Sequence, residues 1–337
     1  MRVPSSAVPL VSRSDEIGAG RMAYSVRNLY HSTCWVPDLE EATSFFARAF
    51  GRQSKLLGEY FGAGERQITA GVPRDYATFT PIAEVQVECV DPTRLVLEGV
   101  QPHEAVTEPR LGGLAWFVDG VEDLWSELRR RDIRGTDMTG RVPEGDGPPL
   151  DVSSRPIIMT LPEDTGLNYE FCVYVPHRDP RGYPPAVEVS PSDPLGIECC
   201  SHHTVLTEEP ERALRLLVDV LGGQVIHEGP NDVLATQSTY VALADGVLEL
   251  AQPLGEGSPA MEEWGRDAPF DTYSSLTWKV RDLEQVADHL GAAGVALRAR
   301  TDTMLVTDPG DSLGIPWGFS TALCPGDRRA GGVTLAE

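Results

Sequence analysis

The sequence predicts an α+β protein built from four similar strand–helix units, two in each half of the chain. Residues 28–51 read as a strand followed by an amphipathic helix, because apolar residues recur at three- and four-residue spacing after the cap residue Asp38. Residues 201–224 repeat this order, with His202 in the place of His31. Internal similarity of this kind indicates a duplicated unit.

A second strand–helix unit follows in each half. Residues 112–135 and 274–297 both read as a strand running into a helix. Shorter strand-like runs come after each helix, and one of them, residues 94–100, is predicted as the fourth strand, around Glu98. Each half therefore contains two units, with the helices expected to pack outside curved mixed sheets.

Length and proline content predict the domain boundaries. The chain has 337 residues, of which 41% are apolar, and this is enough for two domains with cores of their own. Five prolines between residues 179 and 195 are typical of a linker. The predicted divisions are a loose leader at 1–22, a first domain at 23–178, a Pro-rich linker at 179–195, a second domain at 196–326 and a tail at 327–337.

The charge of the chain excludes some partners. A net charge of −23 would repel nucleic acid and anionic membrane surfaces. The sequence contains no apolar run of the length that spans a membrane and no signal-peptide core, so a cytoplasmic protein is predicted. The six cysteines include no CxxC pair, which favours reduced thiols.

The first unit resembles a known superfamily. A strand histidine, His31, is followed after six residues by Asp38-Leu39-Glu40 and an amphipathic helix that ends in glycine. This pattern, repeated in order along residues 26–325, resembles the vicinal oxygen chelate superfamily, which includes glyoxalases and extradiol dioxygenases. The resemblance implies tandem βαβββ modules, paired into two glyoxalase-like domains whose curved sheets each enclose a metal site.

The resemblance also implies a ligand set in the first domain. Carried over by position, the metal ligands are His31, Glu98 and Glu170. The two glutamates are also the candidate catalytic residues, since either could leave the metal and act as a base. Gly113 stands where the superfamily often has a second histidine. One imidazole and two carboxylates suit a divalent ion such as Fe²⁺, Mn²⁺ or Zn²⁺ and leave open positions for a substrate.

In the second domain the implied site is less complete. His202 and Glu249 keep donor side chains, whereas Ser275 and Gly318 occupy the two remaining positions. A lone strand histidine or glutamate is often structural, so the hypothesis of a site depends on several donors together.

Aromatic residues on the predicted strands suggest a substrate pocket. Trp116, Tyr169 and Trp278 are the candidates, although aromatic residues on strands are more often part of a core. The pocket is expected to take a small aromatic or dicarbonyl-type molecule. His103 lies outside the repeated pattern and is expected at the surface.

Three functions remain open from the sequence. The first is a metal-dependent isomerase or lyase that transfers a proton on a substrate bearing two adjacent oxygens. The second is an extradiol ring-cleaving dioxygenase, and the third is a metal-free protein that sequesters a small molecule. The sequence also leaves open a homodimer, and it leaves open whether sequential or swapped modules pair.

Overall fold

The computed structural model describes residues 23–60, 73–97, 99–176 and 192–331. Within these residues the chain forms two eight-stranded mixed sheets with helices packed against them, so the predicted α+β fold of two similar domains is confirmed. The predicted leader, most of the predicted linker and residues 332–337 lie outside the described residues. No helix in the described part of the chain is long and apolar enough to cross a membrane.

The first sheet is formed by the first half of the chain. Its strands are β1 (Ser25–Trp35), β2 (Lys55–Leu56), β3 (Ala77–Ile82), β4 (Val85–Val90), β5 (Arg110–Asp119), β6 (Gly135–Thr136), β7 (Ile157–Thr160) and β8 (Asn168–Val173). Their order across the sheet is β2-β3-β4-β1-β5-β8-β7-β6. The central strand β1 pairs in parallel with β4 and antiparallel with β5.

The second sheet repeats the first. Its strands are β9 (Ile197–Leu206), β10 (Gln224–Asn231), β11 (Thr236–Leu243), β12 (Gly246–Pro253), β13 (Thr272–Val280), β14 (Leu297–Arg300), β15 (Met304–Thr307) and β16 (Gly318–Ser320). Their order is β10-β11-β12-β9-β13-β16-β15-β14. Because β1 pairs with β5 and β9 pairs with β13, sequential modules share a sheet and the swapped pairing does not occur.

The chain forms seven α-helices in its described part, and the first of them begins at a capping residue and continues to a glycine. They are α1 (Leu39–Phe45), which continues as a π-helical turn (Phe46–Phe50), α2 (Leu57–Tyr60), α3 (Val121–Arg130), α4 (Pro162–Thr165), α5 (Pro210–Leu214), which continues as a π-helical turn (Arg215–Val220), α6 (Pro259–Trp264) and α7 (Leu283–Ala292). Asp38 caps α1 by accepting hydrogen bonds from the first-turn amides. Gly51 ends the π-helical turn in the left-handed conformation, with φ of 65°, as the sequence predicts.

The fourth strand differs from the prediction. Residues 94–100 were expected to form it, but the described residues of this stretch form an isolated bridge between Leu97 and Val100 and no strand. The strand is β4, which pairs with β1 as β12 pairs with β9. The sequence of β4 alternates apolar residues with Gln86 and Glu88, and this is the period-two pattern of a strand with two different faces.

The two domains share one hydrophobic core. Phe50, at the end of the first helix, lies with its ring 5.2 Å from Trp317 and 6.0 Å from Phe319 of the second domain. All three side chains are fully buried. Since each domain covers apolar surface of the other, we expect the two to unfold together.

The first residues of the predicted tail pack against the folded domains. Asp327 is buried, and the neighbouring Arg329 forms an ion pair with Glu84 of the first domain at 3.3 Å. Residues 327–329 therefore pack against both domains.

All six cysteines are free thiols, as predicted.

Candidate active site

The first sheet surrounds a cavity of about 490 Å³. Aromatic side chains form much of its wall, and they are Tyr30, Trp35, Tyr76, Phe79 and Phe117. The rings of Tyr30 and Phe117 are stacked, with centroids 4.2 Å apart. A cavity of this size and composition suits a small molecule with an aromatic or apolar part.

Three polar side chains from three strands line the same cavity: His31 of β1, Glu88 of β4 and Glu170 of β8. The His31 Nδ1 atom lies 3.4 Å from Glu88 Oε2, and both side chains are buried. Ala115 of β5 pairs with both His31 and Glu170, so these two lie two strands apart at the same level of the sheet. One imidazole and two carboxyl groups therefore face one enclosed space.

A β-bulge places His31. Tyr30 is an extra residue of β1 between the pairs that Leu29 and His31 make with β5. The rings of Tyr30 and His31 lie 4.6 Å apart, and both residues line the cavity. Bulges occur next to active sites because they redirect side chains. The same bulge recurs in β9, at Ser201 before His202.

Glu88 is held in its protonated form. Burial is the main reason that the pKa of Glu88 is raised to about 8, and the negative charge of Glu170 raises it further. The hydroxyl group of Thr33 acts in the opposite direction by donating a hydrogen bond to Glu88 Oε2 at 3.4 Å. At neutral pH Glu88 is therefore a proton donor that faces the cavity beside a second carboxyl group.

Thr33 connects the imidazole with this carboxyl group. Its Oγ1 atom lies 3.2 Å from His31 Nδ1 and within hydrogen-bond distance of Glu88. Thr33 pairs directly with Glu88 across β1 and β4. The hydroxyl group of Thr33 therefore contacts both the imidazole ring and the carboxyl group.

The donors do not form a preorganised metal centre. Among the described residues, no three His, Cys, Asp or Glu side chains are grouped so that they could hold an ion. The strand between His31 and Glu170 adds no donor, because Gly113 has no side chain. A Cβ atom at Gly113 would lie 2.8 Å from the carbonyl oxygen of Asn168, so a larger residue would force the strands to shift. These residues, as placed, do not fit a three-ligand metal centre.

Solved structures resemble this architecture, whereas no protein-family model and no curated protein sequence matches the chain. A Mn(II)-bound glyoxalase from Novosphingobium aromaticivorans aligns with a TM-score of 0.53 and 12% identity, over 88% of this chain and 82% of the other. A mutant of 4-hydroxymandelate synthase from Streptomyces coelicolor aligns with a TM-score of 0.56 and 12% identity, over 93% and 98%. The 2,3-dioxygenase LapB from a Pseudomonas species aligns with a TM-score of 0.54 and 11% identity, over 88% and 92%.

The chain shares the two-domain fold of these solved structures. Identities this low establish the fold and leave the activity open. In this fold, the position on β4 that faces the cavity belongs to Glu88. The sequence prediction assigned that role to Glu98, which lies outside the described residues. The alternation of apolar and polar residues in β4, compared with β12 around Glu249, is the signal that identifies Glu88.

The structure places the three aromatic residues predicted for the substrate pocket in the hydrophobic core. Trp116, Tyr169 and Trp278 are fully buried in the hydrophobic core, and none of them lines the cavity. Successive strand residues point to opposite faces, so Tyr169 faces the core because its neighbour Glu170 faces the cavity. His103, which the sequence placed at the surface, lines the cavity instead, with its ring 4.4 Å from that of Trp35.

In the second domain, the equivalent carboxylate has its hydrogen-bond acceptors filled by neighbouring side chains. His202 Nε2 lies 3.4 Å from Glu249 Oε2, which repeats the pair of the first domain. Four further donors surround the fully buried Glu249 carboxylate at 2.7–2.8 Å, and they are Thr204, Asn231, Ser238 and Tyr240. Burial alone would raise the pKa of Glu249, but His202 and the hydrogen bonds lower it to about 2. Glu249 is therefore a structural anion, and Gly318 supplies no carboxyl group where Glu170 stands in the first domain.

Proposed function

We propose that the first domain is an enzyme that transfers a proton on a small aromatic molecule bearing two adjacent oxygens. The observation that carries this proposal is the placement of Glu88 and Glu170 in one aromatic-lined cavity, with His31 beside them. Two carboxyl groups in a shared buried space divide the roles of acid and base, because both cannot easily be ionised together.

The proposed step uses both carboxyl groups. Glu170, as the carboxylate, accepts a proton from the carbon next to a carbonyl group of the substrate. The electron pair of that C–H bond forms a C=C bond, the π electron pair of the C=O bond moves onto the oxygen, and Glu88 donates its proton to this oxygen to give an enol. Glu170 then returns its proton to carbon and the enol hydroxyl group returns its proton to Glu88, which restores both residues. The product is an isomer when the proton returns to the other face or to the neighbouring carbon. Glu88 thus takes the place of Glu98 as a catalytic residue.

The remaining residues bind and orient the substrate. The stacked rings of Tyr30 and Phe117 offer an aromatic surface for the ring of the ligand. Thr33 and His31 hold the Glu88 carboxyl group in position. In the second domain the equivalent carboxylate, Glu249, is occupied by its own hydrogen bonds, so we assign no catalytic role to it.

Sequestration of an aromatic molecule without chemistry is the second candidate. It is favoured by the large apolar wall of the cavity and by the lack of a three-ligand group among the described residues. A ring-cleaving dioxygenase is disfavoured, since Gly113 provides no second imidazole for the iron site that such chemistry uses.

Hydrogen–deuterium exchange tests the proposal. The full chain is incubated in D₂O with aromatic 2-hydroxy and 2-oxo acids, such as mandelate and phenylpyruvate. Loss of the proton on the carbon next to the carbonyl group, C2 of mandelate or C3 of phenylpyruvate, is followed by NMR. We expect exchange above the background rate, lowered by about 100-fold or more in Glu88→Gln and in Glu170→Gln. The matched control is Glu249→Gln, which alters the equivalent residue of the second domain and should retain the exchange rate per folded molecule.

Other outcomes assign another function. Tight binding of an aromatic acid without exchange of its α-proton would favour sequestration. Oxygen uptake with catechols that disappears in His31→Ala would favour the dioxygenase. Exchange that persists in Glu88→Gln and Glu170→Gln would overturn the assignment of these residues.

A further inference from the structure

Each domain binds the central strand of the other through a carboxylate. The backbone N–H of Leu29, in β1, donates a hydrogen bond to Asp245 Oδ1 of the second domain at 2.8 Å. At the equivalent position of the second domain, the N–H of Cys200 in β9 donates a hydrogen bond to Glu84 Oε1 of the first domain at 2.9 Å. The contact is therefore duplicated along with the domains, although it joins residues far apart in sequence.

The two amide groups occupy a special place in their strands. Leu29 directly precedes the bulged residue Tyr30, and Cys200 directly precedes the bulged residue Ser201. A bulge disrupts the ladder locally and leaves backbone groups that need another partner. The carboxylates of Asp245 and Glu84 satisfy these groups from the opposite domain.

The carboxylates are presented by two equivalent hairpin turns. Asp245 lies between β11 and β12 and follows Ala244, whose φ is 52°. Glu84 lies between β3 and β4 and follows Ala83, whose φ is 49°. Two-residue hairpin turns require a positive φ, so both turns present their acidic residue in the same local conformation.

A second contact holds β1 on the other side of His31. The hydroxyl group of Tyr273, in β13, donates to Ser32 Oγ at 2.9 Å and lies 2.6 Å from Nδ1 of His203. Tyr273 and Ser32 are buried between the domains. The segment from Leu29 to Ser32, which contains the bulge and His31, is thus bound at both ends by the second domain.

We infer that Asp245 and Tyr273 are positioning residues for the active site of the first domain. By holding Leu29 and Ser32, they set the bulge that turns His31 toward the cavity. The second domain, to which we assign no catalytic role, thereby positions a residue of the active site in the first domain. This inference rests on the proposed function of the cavity, and its structural part can be measured separately.

The experiment compares Asp245→Ala, Asp245→Asn and Tyr273→Phe in the full chain. Hydrogen exchange is measured by mass spectrometry on a peptide covering residues 24–35, and the ring signal of His31 by NMR, assigned with His31→Ala. Phenylpyruvate binding is measured by calorimetry. In Asp245→Ala we expect exchange in this peptide to rise about tenfold or more, the His31 signal to shift and binding to weaken. Asp245→Asn should restore all three, because its amide oxygen still accepts the hydrogen bond. In Tyr273→Phe, which loses the hydrogen bond to Ser32, we also expect the His31 signal to shift, and an unchanged signal would remove Tyr273 from the inference.

The equivalent contact, between Cys200 and Glu84, supplies the matched control. Glu84→Ala removes the equivalent acceptor for Cys200, so it should accelerate exchange around β9 and leave the His31 signal unchanged. Equal shifts of the His31 signal in Glu84→Ala and Asp245→Ala would indicate a general loosening and overturn the inference, as would an unchanged signal in Asp245→Ala. If the wild-type chain fails to bind phenylpyruvate, the proposed substrate class fails, while exchange and the His31 signal still decide the positioning role.

Discussion

Glu88 and Glu249 occupy equivalent positions in the two domains but are held in opposite protonation states. Each pairs across parallel strands with a threonine, Thr33 or Thr204, that donates a hydrogen bond to it. Glu88 faces a cavity beside a second acid and has its pKa raised to about 8, whereas the surrounding donors lower the pKa of Glu249 to about 2. The two domains therefore share a glutamate at this position, but the side chains around it differ.

The raised pKa of Glu88 predicts a pH-dependent stability. The folded chain favours protonated Glu88, so its contribution to the free energy of unfolding is fully present below the ordinary pKa of about 4.5 and is lost as the pH rises to about 8. Glu88→Gln cannot ionise. We expect the stability of the wild type relative to Glu88→Gln to fall across this window, as measured by urea unfolding at several pH values.

A second variant identifies the cause of this shift. Glu170→Gln removes the nearby negative charge that raises the pKa of Glu88. In Glu170→Gln the burial of Glu88 still raises its pKa, but the repulsion by Glu170 is gone. The stabilising contribution of protonated Glu88 should therefore be lost at a lower pH than in the wild type. Glu84 and Asp271, whose pKa values are also raised, are unchanged in every variant and cancel in the comparison. An unchanged window would contradict the interaction between the two carboxyl groups.

Substitution of Glu249 should destabilise the protein. Its carboxylate accepts hydrogen bonds from donors such as Ser238 and Tyr240, and an amide nitrogen cannot accept them. We expect Glu249→Gln to lower the free energy of unfolding by about 3 kcal/mol, in the range found when a buried ionic network is broken. Thermal and urea unfolding at pH 7 provide the measurement. Glu88→Gln, at the equivalent position, is the control and should cause no such loss.

Metal binding can be tested directly. Since no three donor side chains of the described residues are grouped around one point, binding of Mn²⁺ would require side chains of the cavity to rearrange. We expect a titration followed by electron paramagnetic resonance to find at most one weak site, absent in His31→Ala and retained in His202→Ala. Tight stoichiometric binding would contradict this expectation and restore the metal centre that the resemblance implies.

The shared core predicts a single unfolding transition. Phe50 is fully buried against Trp317 of the other domain. We expect Phe50→Ala to lower the free energy of unfolding by about 3–5 kcal/mol and to shift the whole transition measured by calorimetry. Leu254→Ala is a suitable control because Leu254 is 51% exposed. Two separated transitions, of which only one moves, would show that the domains unfold independently.

Some of the site could be predicted from the sequence because local patterns determine it. His31 and His202 precede amphipathic helices at the same spacing, and this spacing identifies the first strand of each domain. Glu170 could be placed by the same repetition. Glu88 was missed because residues 94–100 also carry an apolar run with a glutamate, and a short run of this kind does not reveal its partner strand.

The sequence by itself determined the duplicated α+β modules, their order and the strand that carries His31, since periodicity and helix caps are properties of neighbouring residues. Only the tertiary structure decided which glutamate faces the cavity, which aromatic residues line it and how Asp245 reaches Leu29. These relationships depend on strand register and on contacts between distant residues. A shift of one residue exchanges the two faces of a strand, so the face that meets the cavity is determined by pairing with other strands.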